Sequence, residues 1–192
     1  VEIPHAKNAK SFNIFNKDLV ESNLVYSFTP DMRRASLKKL LNLKNFLIFM
    51  EAHSPLSALI IEKTSIIKNK KEKYFDGFWS SLLTDSTLFG KPDTESLDTS
   101  LRLNNIDKIF DVTSKPLIMD IDTGGKFEHL KMKINAIEKL GISAAIMEDK
   151  TGIKKNSLFE DTSDQKQEKT TKFAQKIKYI KENQITNDFM LI

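Results

Sequence analysis

Two carboxylates one residue apart, at the end of an apolar run, are the residues of this chain best placed to do chemistry. The run is Pro116-Leu117-Ile118-Met119, and Asp120-Ile121-Asp122-Thr123-Gly124-Gly125 follows it. A strand buried on both faces of a parallel sheet reads as a continuous apolar run. Packing gives such a strand no reason to end in two aspartates. A hard divalent cation gives one, because it takes carboxylate oxygens held on a rigid element. The two glycines allow a sharp backbone turn and the close approach of a ligand. The structural alternative is an aspartate that caps the next helix, which accounts for one carboxylate better than for two.

The elements that must position these groups are read from periodicity. Residues 46–50 form a short, wholly apolar run consistent with a buried strand, ending at Glu51-Ala52-His53. Ser54-Pro55 then opens a helix, serine as cap and proline at the first helical position, with Leu56, Leu59, Ile60 and Lys63 at helical spacing. Residues 75–81 read as a second strand leading to Trp79 and Ser81, and residues 116–119 as a third. Leu130, Ile134, Ile137 and Leu140 mark an amphipathic helix stopped by Gly141. Residues 144–147 read as a fourth strand ending in Glu148-Asp149-Lys150, and residues 189–192 as a fifth. Further helical faces are expected from Leu37, Leu40 and Leu41, from Leu97 and Leu101 onward, and from Phe173, Ile177 and Ile180, the last opened by a capping box of Thr162 and Gln165. Strands alternating with helices imply βαβ units and a parallel sheet, either doubly wound or a barrel. Every group of chemical interest follows the C-terminal end of a strand, where both architectures place their sites. No glycine-rich dinucleotide fingerprint follows the first strand.

Composition narrows the function classes. The 192 residues carry a formal charge of +4, 40% hydrophobic content and no cysteine, which excludes disulfides and thiolate metal sites. The charge is too mild, and basic residues too little interleaved with aromatics, to argue for nucleic acid. No run is long enough to span a bilayer. Lys68, Lys70, Lys71 and Lys73 read as a solvated loop. Residues 1–30 show no period and read as an irregular leader or linker, with residues 31–192 as the folded part. The chain starts at Val1 and stops within an apolar run, and reads as a piece of a longer protein.

Five segments, in order, carry a family resemblance. Met50-Glu51-Ala52-His53 with Leu56-Ser57-Ala58 resembles the first strand and loop of phosphoenolpyruvate mutases, members of the isocitrate lyase superfamily. Gly77-Phe78-Trp79 with Ser81 and Leu83 is similar to the family's Gly-Ile-Trp-x-Ser-x-Leu segment, and Gly90 and Asp93 fall at its next markers. Asp120-Ile121-Asp122-Thr123-Gly124 resembles its Asp-x-Asp-Thr-Gly metal motif. Glu148-Asp149-Lys150 followed by Lys154-Lys155-Asn156-Ser157 resembles its Glu-Asp-Lys and Lys-x-Asn-Ser.

The resemblance implies a (β/α)8 barrel, of which about the first five strands are present. It implies a Mg2+-dependent interconversion of phosphoenolpyruvate and phosphonopyruvate, as in phosphonate biosynthesis, by a cytoplasmic protein that is a homo-oligomer when full length. Asp120 is then expected to hold Mg2+ directly, with Asp122 and Glu148, together with Asp93, holding metal-bound waters. Asp93, Lys154 and Asn156 are the expected catalytic groups, and Trp79, Ser81, Leu83 and Ser157 the substrate contacts. Residues 149–164 are expected to form a gate that excludes water from the transferring phosphoryl group. The superfamily's lyases carry a Lys-x-Cys-Gly-His segment where this chain has Lys154-Lys155-Asn156-Ser157, and a phosphonopyruvate hydrolase or another C–P or C–C lyase of the superfamily is the enzyme alternative. The family also draws an arginine and a histidine from beyond the fifth strand. Neither is in this chain, so an inactive barrel fragment or regulatory domain is the expectation of another class.

Overall fold

The computed structural model describes residues 28–152, 154 and 166–192. Asn156 and Ser157 therefore lie outside the described residues, as do most of the expected leader and most of the expected gate.

Five strands form the central sheet: β1 (Phe49–Glu51), β4 (Gly77–Ser80), β5 (Leu117–Asp120), β6 (Ala144–Ile146) and β9 (Met190–Leu191). They add in chain order, β1-β4-β5-β6-β9, and every pairing is parallel. A doubly wound sheet reverses its order at a switch point. This one does not reverse, and advances in one direction like the wall of a barrel. α1 (Pro30–Leu43) precedes β1, and α2 (Pro55–Lys63), α3 (Leu82–Leu88), α4 (Thr99–Phe110), α5 (Leu130–Leu140) and α6 (Thr170–Asn183) run between the strands.

Local chemistry sets the ends of these elements. The Thr29 hydroxyl accepts from the Met32 amide ahead of α1, whose first residue is Pro30. Ser54 and Ser57 form a reciprocal capping box on α2. Gly141 ends α5 in the left-handed region at φ 99°, as a C-terminal glycine does.

Register separates the two faces of the sheet. Phe78, Leu117, Met119 and Ala145 share one face and are fully buried with Ile106 and Ile109 of α4 and Ile134 and Ile137 of α5 in a single core. Glu51, Trp79, Ile118, Asp120 and Ile146 share the other face, and each is only partly covered or exposed.

Several sequence expectations are corrected. The lysine-rich stretch is exposed as expected, but it is an antiparallel hairpin rather than a loop: β2 (Ser65–Lys68) pairs β3 (Lys71–Tyr74) around Asn69 and Lys70, both at positive φ. The run 46–50 is not a buried strand. Only residues 49–51 pair, β1 is an edge strand, and Phe46, Ile48 and Met50 are exposed. In α2 the buried residues are Ala58 and Ile61, while Leu56 and Ile60 face solvent. Leu41 and Leu101 are exposed, and α4 buries Arg102, Ile106, Ile109 and Phe110 instead. Of the α6 face, Ile180 is buried and Ile177 exposed. That helix begins at Thr170 after Lys169, well past the expected Thr162–Gln165 box, whose two residues lie outside the described ones.

Candidate active site

The strand ends converge on one edge. Asp120 is the last residue of β5. Asp122, two residues on, takes a positive φ of 50°, a conformation that aspartate tolerates better than most residues and that concentrates at functional sites. Its amide donates to Asp120 Oδ1 at 2.9 Å, so the first carboxylate is oriented by the backbone of the second. The Asp122 carbonyl in turn accepts from the Glu148 amide at 2.6 Å, which fixes the second residue after β6 against the turn after β5. Thr123 is held from outside: the Glu95 carboxylate accepts from its amide at 2.8 Å and from its hydroxyl at 2.7 Å.

Lys154 reaches into this cluster. Its Nζ donates to Asp93 Oδ1 at 2.9 Å and also pairs with Asp122 Oδ1. Lys154, Asp93 and Asp122 are all buried. Burial raises the Asp122 carboxyl to about 6; the hydrogen bond from Lys154 opposes that rise and the charge of Asp120 adds to it. Burial works against the charged form of Lys154, but its hydrogen bonds to Asp122 and Asp93 outweigh this and raise it above the ordinary lysine range. The ammonium thus links two carboxylates whose negative charge would otherwise be costly to bury.

The donor set suits a hard cation. Glu148 Oε2 is buried without a hydrogen bond, and the Lys150 ammonium 2.9 Å away meets it by charge alone. Asp120, Asp122 and Glu148 offer only oxygens. Among the described residues no three carboxylates or imidazoles are arranged to enclose a metal by themselves. Mg2+ keeps several waters and takes one or two carboxylates plus substrate oxygens, so it does not require such a cage.

The remaining expected residues fall around the same edge. Trp79 is at the end of β4 on the open sheet face, 36% exposed, and so is not a core residue. Ser81 precedes α3, buried, and Leu83 lies in its first turn. The Thr84 hydroxyl donates to Glu51 Oε2 at 2.6 Å, tying α3 to the end of β1. The structure thus joins the side chains of Asp93, Asp122 and Lys154, and ties Asp120 and Glu148 to the same turn through the Asp122 backbone. Lys150 and Gln167, in the short pair β7 (Lys150–Thr151) and β8 (Lys166–Gln167), join the two ends of the expected gate.

Sequence reasoning missed three groups. Arg102 and Asp85 form a buried ion pair at 2.8 Å behind β5. Glu95 clamps Thr123. A signal existed for Arg102: it lies on the α4 face that continues with Ile106 and Ile109, where an apolar residue is expected.

Residues 37–192 match the phosphoenolpyruvate phosphomutase family. The chain belongs to that family. The phosphoenolpyruvate phosphomutase of Tetrahymena pyriformis is 29% identical over 175 residues, covering 91% of this chain and 55% of the relative. A solved phosphoenolpyruvate phosphomutase from Streptomyces platensis subsp. rosaceus superposes with a TM-score of 0.72 at 29% identity, over 82% of this chain and 52% of that one. A phosphonopyruvate hydrolase solved with oxalate and Mg2+ is equally similar in sequence, 29%, with a TM-score of 0.67 over 83% of this chain and 50% of that one. The chain spans about half the length of the relatives it matches. Its α/β architecture, with five parallel strands added in order, is that of the superfamily's TIM-barrel members in part.

Proposed function

We propose that this chain is the metal- and substrate-binding part of a phosphoenolpyruvate mutase, an isomerase that moves a phosphoryl group between the enol oxygen of phosphoenolpyruvate and the carbon of phosphonopyruvate. The observation that carries the reading is the gathering of Asp93, Asp120, Asp122, Glu148 and Lys154 at one strand edge. Asp120 would hold Mg2+ directly, and Asp93, Asp122 and Glu148 would hold its waters. Mg2+ would supply Lewis acidity toward the oxygens of the pyruvate-like portion. Ser81 and the amides through Leu83 would receive the substrate carboxylate, and Trp79 would wall the open face of the sheet. Lys154, freed from one of its two carboxylates, would place positive charge on the phosphoryl group, and Asn156 and Ser157 would contact the same substrate. Phosphoryl transfer relies on positioning and charge stabilisation more than on covalent chemistry, which suits an ammonium and an amide. A cytoplasmic setting, phosphonate biosynthesis and homo-oligomeric assembly of the longer protein belong to the proposal on the resemblance alone.

The second reading is phosphonopyruvate hydrolysis, favoured by the equal identity to the hydrolase. The absence of cysteine disfavours the lyase chemistry of the superfamily, which uses that residue as acid-base group. Phosphorus NMR of the full-length protein with phosphonopyruvate and Mg2+ separates the outcomes. Conversion to phosphoenolpyruvate supports the mutase. Release of inorganic phosphate supports the hydrolase. No turnover by folded, metal-bound protein refutes both and leaves an inactive or regulatory domain.

A further inference from the structure

Arg102 is almost fully buried at 3% exposure, and all its nitrogens have partners at the strand ends. Its Nε donates to Asp85 Oδ2 at 2.8 Å, its Nη1 to the Asp120 carbonyl at 2.5 Å, and its Nη2 to the Ser80 carbonyl at 3.1 Å and hydroxyl at 3.0 Å. The Ser80 hydroxyl donates to the same Asp85 oxygen at 2.6 Å. One guanidinium thus joins the ends of β4 and β5 to α3. The fork is planar and preorganised, so these bonds fix relative position in a way that a flexible ammonium would not.

The placement has a direct consequence for the cation site. The Asp120 carbonyl that Arg102 grips belongs to the residue whose carboxylate accepts from the Asp122 amide. The Ser80 groups immediately precede Ser81, which opens the expected carboxylate-receiving turn. Asp85 neutralises the guanidinium, so no net positive charge is set behind a site meant for Mg2+. Core packing alone would not call for this pair, since a buried ion pair is often no more stabilising than apolar residues of similar volume.

We infer that Arg102 is a positioning residue, with Asp85 as its counterion, that fixes the Asp120 carboxylate and the Ser80–Ser81 segment in the geometry needed for cation and substrate binding. The metal part of this inference rests on the Mg2+ reading above; the backbone part does not.

The test uses the full-length protein, with Mn2+ as the probe cation read by electron paramagnetic resonance. Amide exchange at Asp122, whose N–H reports the Asp120 carboxylate, is read in parallel. The double variant Arg102→Met with Asp85→Leu removes both charges and keeps the volume apolar, but leaves the Ser80 and Asp120 carbonyls without their donor, so it should melt below the parent and is read while still folded. Its Mn2+ affinity should fall roughly tenfold or more, as for other groups that orient a metal ligand, and exchange at Asp122 should accelerate. Arg102→Lys keeps the charge facing Asp85 but loses the fork. It should fold and show a smaller loss of the same kind, so the inference stays testable even if the double variant does not fold. Parent-like exchange and parent-like Mn2+ binding in either folded variant overturn the inference. Absence of Mn2+ binding by the parent overturns the Mg2+ reading instead, and exchange at Asp122 still decides whether Arg102 positions the turn.

Discussion

Replacing Gly124 by alanine should damage the fold more than the same change one residue later. Gly124 and Gly125 both have positive φ, +79° and +77°. Each substitution therefore incurs the left-handed cost of an L-residue, about 1–2 kcal/mol. Each also gains about 0.4–1 kcal/mol by restricting the unfolded chain. Their surroundings differ. A Cβ on Gly124 would lie 2.8 Å from Leu130 Cδ2 and 3.0 Å from Met147 Sδ, and Leu130 is fully buried at the start of α5. Relieving that overlap means moving packed core, which costs about 1–3 kcal/mol. A Cβ on Gly125 meets only Lys133 Nζ, at 3.3 Å, the far end of a flexible side chain. The net losses are about 2–4 kcal/mol for Gly124→Ala and about 1 kcal/mol for Gly125→Ala. For a chain of this size each kcal/mol lowers the melting temperature by about 2–4 °C, so Gly124→Ala should melt about 4–16 °C below the parent. Urea unfolding followed by circular dichroism gives the free energies, and a thermal scan gives the temperatures. Equal losses at the two positions, or a Gly124→Ala variant within about 0.5 kcal/mol of the parent, would refute the steric argument.

Asp120→Ala should abolish detectable Mn2+ binding by the chain and Mg2+-dependent turnover by the full-length protein while leaving the melting temperature near the parent's; retained turnover removes Asp120 from the metal site. Asp122 links stability to pH. Its carboxyl lies near 6 when folded against 3.8 as the ordinary value, so the folded state holds the proton more tightly. The resulting stabilisation is complete below about pH 4 and is lost as pH rises through 6. It amounts to about 3 kcal/mol from the two-unit shift. In metal-free buffer the parent's advantage over Asp122→Asn should therefore shrink from pH 4 to 7, and parallel profiles would contradict the assignment. Glu138, fully buried, accepts from the Ile185 and Thr186 amides at 2.7 and 3.0 Å ahead of β9. Glu138→Ala should lose about 3 kcal/mol in urea unfolding and loosen β9, and an unchanged midpoint would show that water replaces it freely.

The motif-bearing strand ends were legible in the sequence because chemistry and packing disagree there. Asp120 and Asp122 interrupt an apolar run, so their type alone marks them as candidates. The parallel sheet was legible for a similar reason, since apolar runs alternate with α5-like faces, but strand order was not, because periodicity left a doubly wound sheet and a barrel both open. Which face of a helix turns inward was less legible. In α2, Leu56 and Ile60 fit a helical period as well as Ala58 and Ile61 do, and only the neighbouring α4 selects the second pair. The β2–β3 hairpin was hidden because Asn69-Lys70 adopts positive φ without the glycine that usually announces such a turn. The pairing of Lys154 with Asp93 and the contacts of Arg102 with Ser80 and Asp120 join residues far apart in the chain. No local pattern carries such contacts.

The all-parallel pairing of the five strands also determines how the site comes into being during folding. Parallel neighbours are separated by a crossover of a dozen or more residues, so each sheet contact requires a sizeable loop to close before it gains anything. The β2–β3 hairpin needs no such closure and can form on the microsecond scale, yet it contributes nothing to the cluster of carboxylates. Asp93, Asp120, Glu148 and Lys154 sit on segments that meet only once β5 and β6 have docked. On the proposed Mg2+ reading, cation binding would thus arise late in folding, and the time at which it appears would report completion of the sheet.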